Sequence, residues 1–298
     1  MPGFPLAITF PEAPAAATHH ELDDAAAAFE RFLDDHHRLV VLTGAGCSTD
    51  SGIPAYRDED GAWRQRRPVQ YQDFVADQAW RRRYWARSLR GYPLMAGARP
   101  NAAHAWLSAL EQDGRLELLV TQNVDGLHQR AGNGEVIDLH GSIHRVICLA
   151  CGEASERARM QERLLAANPG FSAEAPAVPR PDGDAELEDA ELDAFEVPPC
   201  ERCGGVLKPD VVFFGEAVPK ARVARTFAAL ERADALLVMG SSLMVFSGFR
   251  FCREAARIGR PMASVTRGRT RADDLLDLRL RVGCVELCER LAGRGAAG

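Results

Sequence analysis

Short, largely apolar runs, most of them ending in glycine or in a polar cluster, recur along this chain, and they constrain its fold more than any other feature. Leu39–Thr43 (LVVLT) leads into Gly44-Ala45-Gly46, and similar runs stand at Leu116–Thr121, residues 136–139, residues 211–214, Ala235–Met239 and residues 261–266. Such runs, aliphatic and β-branched without polar alternation, are expected of strands buried on both faces. Helix-length segments at residues 220–233 and 249–258 separate the later runs. That alternation implies an α/β fold built on a doubly wound parallel sheet.

At 298 residues the chain exceeds the usual size of one core, so a smaller lobe beside the sheet is expected. Helices predicted at residues 79–89 and Ala102–Gln112, and the cysteine-bearing stretch 148–203, interrupt the alternation and are assigned to that lobe. Residues 1–20 are rich in Pro and Ala and read as a frayed arm, followed by a helix over residues 23–34. Between residues 168 and 199 the chain turns Pro-rich and then acidic, with no Lys or Arg from 181 to 199, which reads as an exposed loop insertion.

The formal net charge of -6 gives the whole molecule no bias toward nucleic acid or an anionic membrane surface. No apolar run approaches the roughly eighteen residues of a membrane span. The first thirty residues contain neither Lys nor Arg, so neither a secretory signal nor a mitochondrial presequence is visible. Eight cysteines are too sparse for a disulfide scaffold. A reducing cytoplasm is the expected compartment.

Four motifs carry chemistry. The glycine turn Gly44-Ala45-Gly46-Cys47-Ser48 follows a buried strand, where backbone amides can approach phosphate oxygens. It lacks the third glycine of the dehydrogenase fingerprint, so a purely structural turn stays open. Cys148-Leu149-Ala150-Cys151 and Cys200-Glu201-Arg202-Cys203 are matching knuckles, each followed by glycine. Four thiolates so spaced suit a closed, structural zinc site; redox thiols are the alternative. Gln122-Asn123-Val124-Asp125 and Asp138-Leu139-His140-Gly141 follow middle strands, where open α/β sheets bind ligands. Amides and a carboxylate there can hold a carboxamide and ribose hydroxyls, and His140 has the titration range of a general base, although each can equally be a satisfied polar residue.

The ordered set GAGCSTDSGIPAYR (44–57), TQNVDGLH (121–128), LHG (139–141), the paired cysteines, KPDVVFFGE (208–216) and GSSL (240–243) resembles the sirtuin family over roughly residues 35–290. The resemblance implies one catalytic domain over residues 21–290. A large Rossmann-like NAD lobe would comprise about 35–60, 115–140 and 208–290, and the small lobe a helical module (61–114) and a zinc module (141–207) carrying the insertion 168–199. Gly44, Ala45, Gly46, Ser48 and Arg57 would line the pyrophosphate and ribose side. Gln122, Asn123 and Asp125 would hold the nicotinamide half with Ile53 against its ring, Asn123 sharing in catalysis. His140 would be the base, and Cys148, Cys151, Cys200 and Cys203 the ligands of one structural zinc. Gly240, Ser241, Ser242, Thr266, Gly268 and Cys284 would face adenosine, and Val211, Val212, Phe213, Phe214 and Gly215 would pair with the backbone of an acyl-lysine peptide. The implied reaction consumes NAD as co-substrate, releases nicotinamide and passes the acyl group to ADP-ribose.

Tyr84 and Arg87 stand three apart on a predicted helix and share a face. They resemble the Tyr-x-x-Arg feature of class II and III sirtuins, in which phenol and guanidinium receive acidic acyl chains. With the long insertion, the resemblance is to the sirtuin-four branch, which implies a preference for longer or acidic acyl groups over acetyl. Mono-ADP-ribosyl transfer or lipoamide cleavage from the same NAD site, or a non-catalytic NAD- and zinc-binding module, are the alternatives. Two positions depart from the family pattern: Thr266 stands where an Asn is usual, and Cys47 where an aliphatic residue is usual.

Overall fold

The computed structural model describes residues 17–56, 58, 69–171 and 194–295. Along it run β1 (Ala17–His19), α1 (Leu22–Asp35), β2 (Leu39–Thr43), α2 (Tyr71–Ala76), α3 (Gln78–Gly97), α4 (Ala102–Gln112) and β3 (Leu116–Thr121). Next come α5 (Leu127–Arg130), β4 (Val136–Asp138), β5 (Gly141–Cys148), β6 (Ala154–Glu156), α6 (Arg157–Ala167) and β7 (Leu207–Val211). The last part holds α7 (Lys220–Arg232), β8 (Ala235–Met239), α8 (Phe246–Arg257), β9 (Met262–Val265), β10 (Leu278–Leu280) and α9 (Cys284–Gly295).

Among the described residues, seven strands form one parallel sheet in the order β1-β10-β9-β8-β2-β3-β4. Strand residues alternate between faces, and β2 shows the consequence directly. Leu39 and Val41 enter a core with α1, α4 and α9, whereas Val40 and Leu42 enter a second core with α7 and α8. A strand that serves two cores needs apolar side chains at every position, which is why β2 and β8 read as unbroken apolar runs. The chain runs outward from β2 to β4 on one side and from β8 to β10 on the other. Between β2 and β8 lies the topological switch point, where such sheets bind ligands.

A second, antiparallel sheet has the order β6-β5-β7. The run at residues 211–214, expected as a strand of the main sheet, is corrected here: β7 ends at Val211 and pairs with β5. Lys208, Pro209 and Asp210 precede that apolar run in β7, and a short edge strand in a half-buried sheet accommodates them. Two further expectations change. Residues 17–19 of the supposed arm form β1, added parallel to β10 at the sheet edge. Helix α4, assigned to the small lobe, instead buries Ala103, Leu107 and Leu110 in the main core.

Helix α3 continues past the predicted end at residue 89, through Pro93 to Gly97. Tyr92 and Met95 in that extension pack with Ile53, Val124 and Leu127, and tertiary burial outweighs the local cost of an interior proline. Its earlier turns, with Phe74 of α2, share a third core with Val146, Met160, Leu164 and Leu207. The helical and cysteine-bearing segments therefore form one packed body. The acidic part of the predicted loop, residues 172–193, and Arg57 lie outside the described residues.

Candidate active site

The glycine turn after β2 and the loop after β8 meet at the switch point. Gly44 N donates to Met239 O at 3.0 Å and Gly46 N to Gly240 O at 2.8 Å. Gly240 has φ +64, and a Cβ there would stand 2.3 Å from Cys47 N; one on Gly46 would stand 2.9 Å from Gly240 Cα. Only glycine lets the two backbones touch so closely. Three residues on, Leu243 holds φ 57, an uncommon conformation for a branched side chain, in the same loop.

Above this junction opens a cleft of about 670 Å³. Gly44, Ala45, Gly46, Ser48 and Ile53 line it from the first turn, Gln122, Asn123 and Asp125 from the turn after β3, and His140 from the turn after β4. Gly240, Ser241, Ser242, Thr266, Gly268 and Cys284 line it from the β8, β9 and α9 side, and Val211 through Gly215 form the facing wall. Every predicted cofactor residue among the described ones thus reaches one cavity. Tyr84 and Arg87 are not among its lining residues. Both are buried on α3, and the Tyr84 ring lies 5.2 Å from that of Phe213, which does line the cleft.

Polar side chains that line the cleft are tied to one another. Asn123 Nδ2 donates to Gly44 O at 3.1 Å and to Ser48 Oγ at 3.0 Å, while Ser48 Oγ donates to Asp125 Oδ2 at 2.8 Å. Gln122 Nε2 donates to Ser241 Oγ at 2.8 Å, linking the two sides of the switch point. Deeper still, Thr43 Oγ1 lies 2.9 Å from both Thr121 Oγ1 and His128 Nε2, and the His104 and His128 rings sit 4.7 Å apart. Burial, with His104 adding, pushes the His128 pKa down to about 3, so both rings of this pair work as neutral hydrogen-bonding groups.

His140 is held at both ring nitrogens: Nδ1 lies 2.8 Å from Gln122 O and Nε2 lies 2.7 Å from Ser247 Oγ. A carbonyl only accepts, so the proton sits on Nδ1 and the Nε2 lone pair points to the cleft side. Burial lowers the pKa of His140 below the usual histidine value; the Gln122 carbonyl opposes that, and Arg222 and Arg250 add to it. The ring is therefore a neutral base at neutral pH.

The facing wall is braced from behind. Val212 N donates to His140 O at 2.7 Å, so the wall and the base share a backbone contact. Lys208, 4% exposed, meets Glu216 at 3.1 Å and also bonds Val211 O, while Glu216 accepts from Phe213 N at 2.9 Å. A buried cation and a carboxylate thus clasp the two ends of the wall. Phe214 O accepts from Tyr71 N at 2.8 Å, anchoring the wall's far end to α2.

The four cysteines converge away from the cleft. All their Sγ atoms lie within 4.8 Å of one another, with Cys148 and Cys203 at 3.5 Å and Cys151 and Cys200 at 3.8 Å. Tetrahedral zinc with bonds of about 2.3 Å places its sulfurs about 3.8 Å apart. A disulfide would need about 2.05 Å, so the arrangement fits a metal and not a redox pair. Gly152 and Gly204, with φ +71 and +72, turn the two knuckles alike.

Several participants were not singled out from sequence. Ser247 and Arg250 sit in the first turns of α8, where a serine reads as a cap and an arginine as solvated surface. Asn101 caps α4 and His104 closes the capping box, yet Asn101 also donates to Cys47 O at 2.9 Å and so anchors the glycine turn. The Lys208–Glu216 clasp lay within a quoted motif, but its pairing depends on a turn that eight residues of spacing do not reveal.

A Sir2 family model matches residues 44–247. An NAD-dependent protein deacetylase of Xanthomonas axonopodis pv. citri (strain 306) is 55% identical over 271 residues, covering 91% of this chain and 90% of the relative. An NAD-dependent protein deacetylase of Bordetella bronchiseptica (strain ATCC BAA-588 / NCTC 13252 / RB50) is 54% identical over 260 residues, 87% and 94% of the two chains. Among solved structures, a Sir2–p53 peptide–NAD+ complex superposes with TM-score 0.72 at 29% identity, covering 91% of this chain and 98% of that one. A Sir2 bound to acetylated peptide gives TM-score 0.72 at 28% identity, with 91% and 99% covered.

Proposed function

The chain belongs to the Sir2 family, and from that premise we propose that it is an NAD-dependent protein deacetylase whose base is His140. One observation carries the reading: a neutral imidazole of defined tautomer lines the same cleft as a phosphate-type glycine turn and a peptide-type wall. When bound, NAD supplies an electrophilic ribose carbon for the acyl group and releases nicotinamide. The chain's own residues supply the rest. Gly44, Ala45, Gly46, Ser48 and Arg57 hold the pyrophosphate side, and Gln122, Asn123, Asp125 and Ile53 the nicotinamide side. Gly240, Ser241, Ser242, Thr266, Gly268 and Cys284 take the adenosine end. His140 accepts a proton on Nε2, and Val211 to Gly215 present backbone to the acyl-lysine peptide. Cys148, Cys151, Cys200 and Cys203 hold one zinc, structural because four sulfurs leave no open position. Thiolates of this kind belong in a reducing compartment, here the cytoplasm.

The finer reading places the chain in the class II, sirtuin-four-like branch with longer or acidic acyl groups preferred. Its support is the pair Tyr84 and Arg87, both buried on α3 three residues apart, with the Tyr84 ring 5.2 Å from that of Phe213 in the cleft wall. A phenol and a guanidinium together suit an acyl chain that ends in a carboxylate or another hydrogen-bond acceptor, which acetyl lacks.

Mass spectrometry of acetyl-, succinyl- and lipoyl-lysine peptides incubated with NAD tests both levels. Deacylated peptide with acyl-ADP-ribose supports the reaction, and faster turnover of succinyl or lipoyl than acetyl supports the finer reading. ADP-ribose added to protein with the acyl group retained would favour transferase chemistry, and unconsumed NAD would leave a binding module.

A further inference from the structure

Ser247 does not serve its own helix. It stands in the first turn of the 12-residue α8, 8% exposed, and its hydroxyl crosses to His140 Nε2 at 2.7 Å. Because Gln122 O fixes the ring proton on Nδ1, the neutral ring offers Nε2 as acceptor and the Ser247 hydroxyl is the donor. The base atom is thus covered by a hydroxyl whose chemistry matches that of the sugar hydroxyl it is to deprotonate. Ser247 and His140 both line the cleft, so the contact between them lies where an incoming hydroxyl would arrive.

We propose that Ser247 is a positioning residue for His140: its hydroxyl holds Nε2 in the free enzyme and yields that nitrogen to a ribose hydroxyl of bound NAD. The inference rests on the assignment of His140 as base. Ring orientation is then defined before the cofactor arrives, with a carbonyl at one nitrogen and a removable donor at the other. The charged groups around the ring act in the same sense. Arg222 of α7 and Arg250 of α8 both disfavour the imidazolium, while the turn after β3 presents the Gln122 carbonyl and the β7 side presents Val212 N to the His140 carbonyl. Losing the Ser247 donor removes one of the groups that favour the neutral ring.

NMR titration of ring-15N-labelled histidine in the free protein, with the His140 signal assigned by its loss in His140→Ala, tests this without turnover. Ser247→Ala should raise the His140 midpoint by roughly half to one pH unit, about three- to ten-fold in the protonation equilibrium, and shift the Nε2 resonance. Ser247→Thr, which keeps the hydroxyl, should restore both. Kinetically, Ser247→Ala should lower kcat with no rise in KM for NAD, whereas a serine that merely supported the helix would raise KM or lower Tm. Identical His140 titrations in wild type and Ser247→Ala, or a Thr variant that behaves as Ala, would overturn the proposal. A wild-type protein that consumes no NAD would sink the deacetylase reading instead, and the titration would still decide the contact.

Discussion

The two sheets of this molecule are stabilised by different means. The parallel sheet buries β2 and β8 at every residue between two apolar cores. The antiparallel sheet sets buried against half-buried positions along β5, with Arg145 exposed, shares one core with α2, α3 and α6, and converges on four thiols. The first can hold its shape through apolar burial alone, whereas the second needs its metal and its helices. The cleft lies between a rigid switch point and a wall that inherits whatever stability the small sheet has. Cofactor binding and peptide binding should therefore fail separately.

Zinc removal, or Cys148→Ser, should produce the largest difference. Structural zinc contributes on the order of 10 kcal/mol in isolated fingers. Amide exchange should accelerate through β5, β6 and β7 while β2 and β8 stay protected, and peptide turnover should vanish. Uniform loss of protection would break the distinction between the sheets. Leu42→Ala acts on the other side: a cavity in the fully buried strand should cost about 2–5 kcal/mol in denaturant melts, with zinc content unchanged.

Lys208→Met probes the wall itself. It leaves Glu216 without its buried partner, and about 1–3 kcal/mol of lost bracing should appear as a raised KM for peptide with NAD affinity kept. Equal loss of both affinities would show that the wall and the switch point are one unit.

Titration sharpens the account of the polar layer under the parallel sheet. His128 takes up a proton near 6.5 when unfolded but only near 3 when folded. More protons are bound unfolded between those values, so stability is full above about 6.5 and declines as pH falls toward 3. Denaturant midpoints measured down this range should fall less steeply in His128→Gln. The smallest effect is expected at Thr266→Asn, where one added amide at the adenosine end should tighten NAD binding several-fold, about 1 kcal/mol, by calorimetry.

The same contrast explains what could be read from residues alone. Leu39–Thr43 and Ala235–Met239 were legible because burial on both faces leaves a dense apolar run, and Leu116–Thr121 because its buried second half does the same. Residues 211–214 look alike but belong to the cleft wall, since only β5 pairing decides where β7 lies. The cysteine knuckles were legible because metal geometry imposes spacing. Ser247 and the Lys208–Glu216 clasp were not, because each contact is made across a turn or between distant elements. The β1 strand likewise depends on β10, more than 250 residues further along the chain.

The central claim is that one imidazole at the meeting point of the two walls takes the proton, and His140→Ala tests it most directly. NAD affinity by calorimetry, and nicotinamide release in the presence of acetyl-lysine peptide, should be measured on the same preparation. The account predicts binding kept within a few-fold while turnover falls by about 10²–10⁴. Turnover equal to wild type, or loss confined to NAD binding, would contradict it.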